Sequence, residues 1–136
     1  MPKPKLPRPT DAELSILRVL WQRGPSTVRQ VQEELGADTG YTTVLKFFQI
    51  MTEKGLVTRN DSQRTHVYQA RLPEEETQRQ LVAHLLDRAF RGSAKKLVLQ
   101  ALSAKKASAA ELAEIRKLLD EISRKSPSGG KAGGFK

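Results

Sequence analysis

The first part of the chain repeats apolar residues at the three- and four-residue spacing of amphipathic helices. A first helix is predicted to begin at Thr10, which forms a capping-box pattern with Glu13, and a second at Thr27, which pairs in the same way with Gln30. The breaks that end these two helices lie at Gly24-Pro25 and Gly36.

The clearest amphipathic pattern runs over residues 41–54. Its apolar residues lie at positions i, i+3, i+4 and i+7, namely Val44, Phe47, Phe48 and Met51. Gly55 ends this third helix. Two β-prone runs, 56–59 and 65–69, then flank the polar turn over 60–64 and predict a β-hairpin. Three short helices followed by a hairpin are the element order of a winged helix-turn-helix.

The last part of the chain has helical patterns only. A fourth helix is predicted to begin with Pro73 and the three glutamates that follow it, and to end at Gly92. Ser93 then caps a fifth helix. Ser108 forms a capping-box pattern with Glu111 at the start of a sixth.

These elements predict a mainly α (α+β) fold class with two sections. Residues 10–72 form an N-terminal winged helix-turn-helix DNA-binding domain, and residues 73–124 form a C-terminal three-helix dimerisation section. The ends, 1–9 and 125–136, combine Lys or Arg with Pro, Gly or Ser and have nothing to bury. They are interpreted as disordered basic tails, which either only solubilise the protein or bind phosphate directly.

Charge adds a partner class to this fold. The 136 residues contain 24 Lys or Arg against 15 Asp or Glu, a formal net charge of +9. Such an excess favours a polyanionic partner, either nucleic acid or an anionic membrane surface. It lies mainly in the two tails and in one cluster formed by Lys95, Lys96, Lys105 and Lys106. We therefore expect net charge to govern non-specific affinity, and a nearly neutral surface to supply specificity.

Composition also excludes several classes of protein. Without Cys there is no disulfide framework, thiolate metal site or cysteine nucleophile, which fits a reducing cytoplasm. No apolar run approaches the roughly 18 to 20 residues that cross a bilayer, and the first five residues lack the apolar region of a signal peptide. We expect a cytoplasmic protein without membrane insertion.

The polar face of the third helix is the candidate surface for DNA. Thr, Gln and Lys side chains can hydrogen-bond to base edges or phosphate, and Ile can contact a thymine methyl group. Such residues are also common on any solvated helix, but in helix-turn-helix proteins the second helix of the motif enters the major groove. Arginines beside the hairpin turn and groups at the start of the second helix are the candidate phosphate contacts. The predicted DNA-binding residues are Thr42, Thr43, Lys46, Gln49, Ile50, Thr27, Arg29, Arg59 and Arg64.

The three C-terminal helices are short and hold little core for an isolated unit of their size. We expect their apolar stripes to close over a second copy of the chain, giving a homodimer; packing on the N-terminal domain is the alternative. The predicted dimerisation residues are Leu81, Leu85, Leu97, Leu112, Ile115, Leu119 and Ile122.

Several segments resemble the penicillinase repressor family (BlaI/MecI/CopY type). The matching segments are 40–44 (Gly-Tyr-Thr-Thr-Val), 53–57 (Glu-Lys-Gly-Leu-Val) and 64–68 (Arg-Thr-His-Val-Tyr), and the likeness runs from about Thr10 to Ile122. The resemblance implies a bacterial transcriptional repressor that binds a pseudo-palindromic operator as a dimer. It also implies a winged helix that reads DNA and C-terminal helices that dimerise.

The chain departs from the family pattern at three places. Copper-responsive members carry a C-terminal cysteine cluster, which this chain lacks. Members that respond to β-lactams are cleaved at an Asn-Phe bond in the fifth helix, where this chain has Gln100-Ala101; these two residues are the candidate region for cleavage by a membrane sensor protease. The family's Arg near the end of the recognition helix corresponds to Ile50, so operator sequence does not transfer.

The sequence favours a binding protein over an enzyme. Ser93 with Lys96 and Ser103 with Lys106 both match Ser-x-x-Lys, but no companion element of that acyl-transfer site is present, and a helix cap with a solvated turn explains such a pattern better. His66 and His84 lie in different predicted elements, so neither a metal site nor a cofactor is expected. The alternative function is a winged helix that docks protein or RNA, with tails that bind nucleic acid non-specifically.

Overall fold

The structure, a computed structural model, describes residues 8–125. The predicted disordered tails therefore lie outside the described residues, apart from Arg8, Pro9 and Lys125. Pro9 is buried, and Lys125 is the last residue of the final helix. The described chain contains six helices and two strands, as the sequence predicted for a mainly helical fold.

The first two helices begin at the predicted capping boxes. In α1 (Asp11–Arg23) the Thr10 hydroxyl accepts the Glu13 N–H at 3.2 Å, and the Glu13 carboxylate accepts the Thr10 N–H at 2.9 Å. The same pair of hydrogen bonds joins Thr27 and Gln30 at the start of α2 (Val28–Leu35). Each cap satisfies backbone donors that the first helical turn leaves unpaired. Both caps are local, because their two partners are three residues apart.

The third helix, α3 (Tyr41–Lys54), has the predicted bounds and ends in a Schellman motif. Gly55 adopts the left-handed conformation with φ 83°, its N–H donates to the Thr52 carbonyl, and the Leu56 N–H donates to the Met51 carbonyl at 2.9 Å. Glycine tolerates this conformation because it lacks a Cβ. The chain is thereby redirected at once into the hairpin.

The hairpin consists of β1 (Val57–Asn60) and β2 (Val67–Ala70), paired antiparallel with Val57 opposite Ala70. The strands begin one and two residues later than predicted. The Leu56 N–H donates to the Met51 carbonyl at the end of α3 and is not available to β2, so the first strand begins at Val57. A further pair of backbone hydrogen bonds, between Ser26 and Tyr68 at 2.8 and 2.9 Å, ties the turn before α2 to the hairpin, which is the wing.

One core holds these elements together. Val31, Val44, Phe48 and Met51 are fully inaccessible to solvent, so α2 and α3 pack on α1 through their apolar faces. Phe47, which the helical pattern placed in the core, lies only half-buried at its edge. The remaining buried apolar residues are Ile16, Leu17, Val19, Leu20, Val28, Leu56, Val57 and Tyr68.

The remaining helices are α4 (Glu74–Ala89), α5 (Ala94–Ala104) and α6 (Ala109–Lys125). As predicted, Ser93 caps α5 by accepting the Lys96 N–H at 3.2 Å, and the Ser108 hydroxyl accepts the Glu111 N–H at 3.1 Å. The chain divides into two compact units, Met1–Asp87 and Arg88–Lys136. Because that division lies within α4, the predicted functional boundary between residues 72 and 73 stays a prediction. None of the helices described is both long and apolar enough to span a bilayer.

Candidate nucleic-acid interface

The third helix, α3, which is the predicted recognition helix, separates its buried and exposed residues cleanly. Val44, Phe48 and Met51 are buried on the side that faces α1 and α2, whereas the polar residues lie on the opposite side. Ile50 flanks them and is 38% exposed. The exposed residues predicted to bind DNA are Thr42, Thr43, Lys46, Gln49 and Ile50, and all five share this solvent-facing surface, here called the reading face.

Aromatic stacking fixes the wing against the recognition helix. The rings of Phe48 and Tyr68 stack with centroids 4.2 Å apart and planes 15° from parallel. Both residues are buried, and the Tyr68 backbone also pairs with Ser26. Tyr68 therefore joins α3, the turn before α2 and the wing at one point, which sets the position of the wing beside the reading face.

A buried ion pair holds the C-terminal end of α3. Lys54 Nζ lies 2.7 Å from Glu13 Oε1, the same oxygen that accepts the Thr10 N–H. Burial alone would raise the pKa of Glu13, but the hydrogen bonds from Lys54 and Thr10 and the charge of Lys54 outweigh it, so the pKa lies below its ordinary value. The carboxylate thus stays charged while it links the start of α1 to the end of the recognition helix.

A cleft of about 590 Å³ separates the C-terminal half of α3 from the wing. It is lined on one side by Gln49 and Glu53 and on the other by Thr58 and Arg59. A hydrogen bond and the charge of Asp61, with a further contribution from Tyr68, raise the pKa of Arg59, so this cation is permanent. The cleft therefore places two arginines, Arg59 and Arg71, and two carboxylates, Glu53 and Asp61, next to the reading face.

A second cleft, of about 790 Å³, opens on the other side of α3, between α2 and the hairpin turn. Thr27, Arg29 and Arg64 all line it, together with Tyr41. The Arg29 guanidinium lies 5.5 Å from the centre of the Tyr41 ring, in cation–π geometry. The Thr27 hydroxyl accepts the Gln30 N–H and keeps its own proton for a ligand.

The nine predicted DNA-binding residues lie on the reading face or in the two clefts that flank it. Gln49 and Arg59 line the first cleft, and Thr27, Arg29 and Arg64 line the second. Sequence reasoning missed Tyr41 and Arg71, which line these clefts as well. A signal for Tyr41 was present, since an aromatic residue at the exposed start of a helix has no core to fill.

The apolar residues predicted to dimerise are accessible in the single chain. In α4, Leu85 is 46% exposed, and in α6, Leu119 and Ile122 are 56% and 60% exposed. Neither α5 nor α6 contains a buried residue. The other predicted dimerisation residues are half-buried, namely Leu81, Leu97, Leu112 and Ile115. Gln100 and Ala101, the candidate cleavage region, are both exposed on α5.

The serines of the two Ser-x-x-Lys patterns serve the helix backbone. The Ser93 hydroxyl caps α5, and the Ser103 hydroxyl donates to the Leu99 carbonyl at 2.8 Å. Within residues 8–125, no group of three or more His, Asp or Glu side chains is placed to hold a metal ion. These serines have ordinary structural roles.

Comparison with known proteins agrees with the resemblance. The family model of the penicillinase repressor matches residues 9–121. A penicillinase repressor of Bacillus licheniformis is 24% identical over 119 residues, which cover 86% of this chain and 93% of the relative. The solution structure of the DNA binding domain of the repressor BlaI is also similar, with 24% identity and a TM-score of 0.47, covering 53% of this chain and 90% of that chain. The chain therefore belongs to the penicillinase repressor family, and it is a DNA-binding repressor of transcription rather than an enzyme.

Proposed function

We propose that the protein represses transcription as a cytoplasmic homodimer on a pseudo-palindromic operator, with α3 of each protomer in the major groove of one half-site. The observation that carries this proposal is the reading face, a row of exposed polar side chains opposite a fully buried apolar face. Clefts that carry arginines flank it on both sides. Base contacts and phosphate contacts are thereby provided on one surface, as a major-groove reader requires.

The arginines would position the protein on the DNA without selecting the sequence. Arg29 and Arg64 face the second cleft and have no ion-pair partner among the described residues, so their charge is available to phosphate. The permanent charge of guanidinium and its planar donors suit such contacts. Thr42, Lys46 and Gln49 would then meet base edges.

The C-terminal helices support the homodimer. Because α5 and α6 contain no buried residue, these two helices have no core of their own. The exposed Leu99, Leu118 and Ile122 would become buried if they packed against a second copy of the chain. A two-fold dimer would also place two recognition helices to match the symmetry of a pseudo-palindrome.

Relief of repression by proteolysis is the regulatory part of the proposal. Cleavage between Gln100 and Ala101 would separate the last turn of α5 and all of α6 from the DNA-binding unit. Both residues are exposed, but they lie inside a helix, so a protease would have to unwind α5 before cutting. Mass spectrometry of the protein from cells given an inducer would locate the cut; an intact chain in derepressed cells would exclude proteolysis.

The test of the reading face is a gel-shift titration with Lys46→Ala and Gln49→Ala variants. Operator DNA recovered with the protein from cells would serve as the specific probe, and scrambled DNA as the competitor. Each lost base contact should cost about 1 to 3 kcal/mol of operator binding and little of the binding to scrambled DNA. Gln22→Ala, an exposed change on α1 outside both clefts, is the matched control for Gln49→Ala.

Two outcomes would reject the assignment. Unchanged operator affinity in both variants would show that α3 does not read bases. Equal affinity of the unaltered protein for operator and scrambled DNA at fixed salt would instead favour the docking module, since non-specific binding depends on phosphate neutralisation alone.

A further inference from the structure

The turn of the wing contains a charge cluster centred on Asp61. Asp61 Oδ1 lies 2.8 Å from Arg59 Nε, and Asp61 Oδ2 accepts a hydrogen bond from Arg59 Nη2 at 3.1 Å. His66 Nδ1 lies 2.7 Å from the same Oδ1. One carboxylate therefore holds two groups that could meet a phosphate, and it holds the arginine in the bidentate geometry that phosphate itself uses. A hydrogen bond with the Tyr68 side chain also engages Arg59.

All three side chains remain accessible from solvent. Arg59 is 43% exposed, Asp61 49% and His66 50%. A DNA backbone that approached the first cleft would reach Arg59, but it would bring its negative charge close to Asp61 as well. By contrast, Arg64, at the end of the same turn, has no ion-pair partner among the described residues.

We propose that Asp61 competes with DNA phosphate for Arg59 and His66 and thereby lowers the affinity of the wing for DNA of any sequence. The proposal rests on the proposed contact between wing and DNA backbone. In this arrangement the wing presents Arg64 as its available cation, and Arg59 binds phosphate only at the cost of its pair with Asp61. Because the effect applies to DNA of any sequence, Asp61 sets the overall affinity and leaves the sequence preference to the reading face.

The test compares the full-length protein with Asp61→Asn, an isosteric change that removes the competing charge. An exposed ion pair is worth about 0.2 to 1 kcal/mol, so its removal should tighten binding to scrambled DNA by a factor of about 1.4 to 5 for each wing. The newly available contact should also steepen the dependence of log K on log salt by about 0.9 for each wing. The affinity for operator DNA should increase by the same factor.

Three further variants identify the cause of the tighter binding. Asp87→Asn removes the same charge from an exposed position of α4 and should bind as the unaltered protein does. Arg59→Ala combined with Asp61→Asn should lose most of the gain, because the cation that was released is absent. Asp61→Glu, which keeps a carboxylate at this position, should bind DNA as weakly as the unaltered protein does.

The opposite results would overturn the proposal. If Asp61→Asn weakens binding or leaves it unchanged while Arg59→Ala weakens it, Asp61 orients Arg59 toward phosphate, and the wing contact itself stands. If Arg59→Ala and Arg64→Ala both leave affinity and salt dependence unchanged, the wing does not touch DNA, and that part of the proposed function fails too. A gain restricted to operator DNA would also contradict competition for phosphate.

Discussion

The ion pair between Glu13 and Lys54 allows a quantitative prediction about the recognition helix. The Glu13 side chain is 4% exposed and that of Lys54 is 30% exposed, and their 2.7 Å contact joins the start of α1 to the end of α3. Replacing Lys54 with Met keeps most of the aliphatic stem but removes the charged donor. The buried carboxylate then keeps only its bonds to the α1 cap.

The cost follows from burial and geometry. Breaking a fully buried pair costs about 3 to 5 kcal/mol, and losing a hydrogen bond to a charged group about 1.5 to 3 kcal/mol. Because Lys54 is partly exposed, we expect the lower range, about 2 kcal/mol of unfolding free energy for Lys54→Met and a similar cost for Glu13→Gln. The double variant leaves no unpaired charge and should cost little more than either single change.

The assay is urea unfolding followed by the fluorescence of Trp21. It is the only tryptophan in the chain and lies on α1, so its signal reports the first unit. With a slope of about 1 to 2 kcal/mol per molar urea, each single variant should unfold about 1 to 2 M earlier. Lys46→Met, the same change at an exposed position of α3, should shift the midpoint little.

The unfolding free energy of the double variant shows whether Glu13 and Lys54 are energetically coupled. If the two single changes add in the double variant to within about 0.5 kcal/mol, Glu13 and Lys54 are not energetically coupled, and the reasoning fails. The sign of the pH dependence gives a second check. Because the pKa of Glu13 lies below its ordinary value of 4.5, its contribution is complete above that pH and is lost as the pH falls through the lowered pKa. In Lys54→Met this pKa should rise, so the part of the acid destabilisation that comes from Glu13 should disappear, and the variant and the unaltered protein should differ less in stability at low pH than at neutral pH.

Three further predictions concern the core, the end of α3 and the dimer. Phe48→Ala should cost about 3 to 5 kcal/mol in the same urea assay, since the ring is fully buried and stacks on Tyr68; a cost below 1 kcal/mol would contradict this packing. Gly55→Ala should cost about 1 kcal/mol from its positive φ alone, because nothing lies within 4 Å of the added Cβ; an unchanged midpoint would exclude the left-handed cap. Leu119→Asp with Ile122→Asp should make the proposed homodimer monomeric in sedimentation velocity, because burying the exposed half of each of these side chains is worth about 1 kcal/mol; a dimer that persists would reject α6 as the interface.

Helix starts and stops were predictable because their causes are local. The boxes of Thr10 with Glu13 and Thr27 with Gln30 each lie within four residues, and Gly55 needs only its own conformation to end α3. The period of the apolar residues then identified the reading face, because burial of Val44 and Phe48 dictates what the other side exposes.

Contacts between distant segments were not predictable from the pattern. Glu13 was identified as a cap, but nothing in its neighbourhood indicates a pair with a lysine 41 positions later. The bridge between Ser26 and Tyr68 likewise depends on how the wing folds back. Arg59 was correctly placed beside the turn, whereas its engagement by Asp61 depends on side-chain directions that only the folded hairpin sets.

The separation of roles on α3 has a consequence for how such repressors diversify. Positions such as Thr42, Lys46 and Gln49 contribute almost nothing to the core, so they can accept new side chains without endangering folding. Val44 and Phe48, one or two residues away, tolerate almost no change of volume. If the reading face contacts bases as proposed, a lineage or a protein engineer could retarget this scaffold by exchanging a few exposed residues while its stability stays constant.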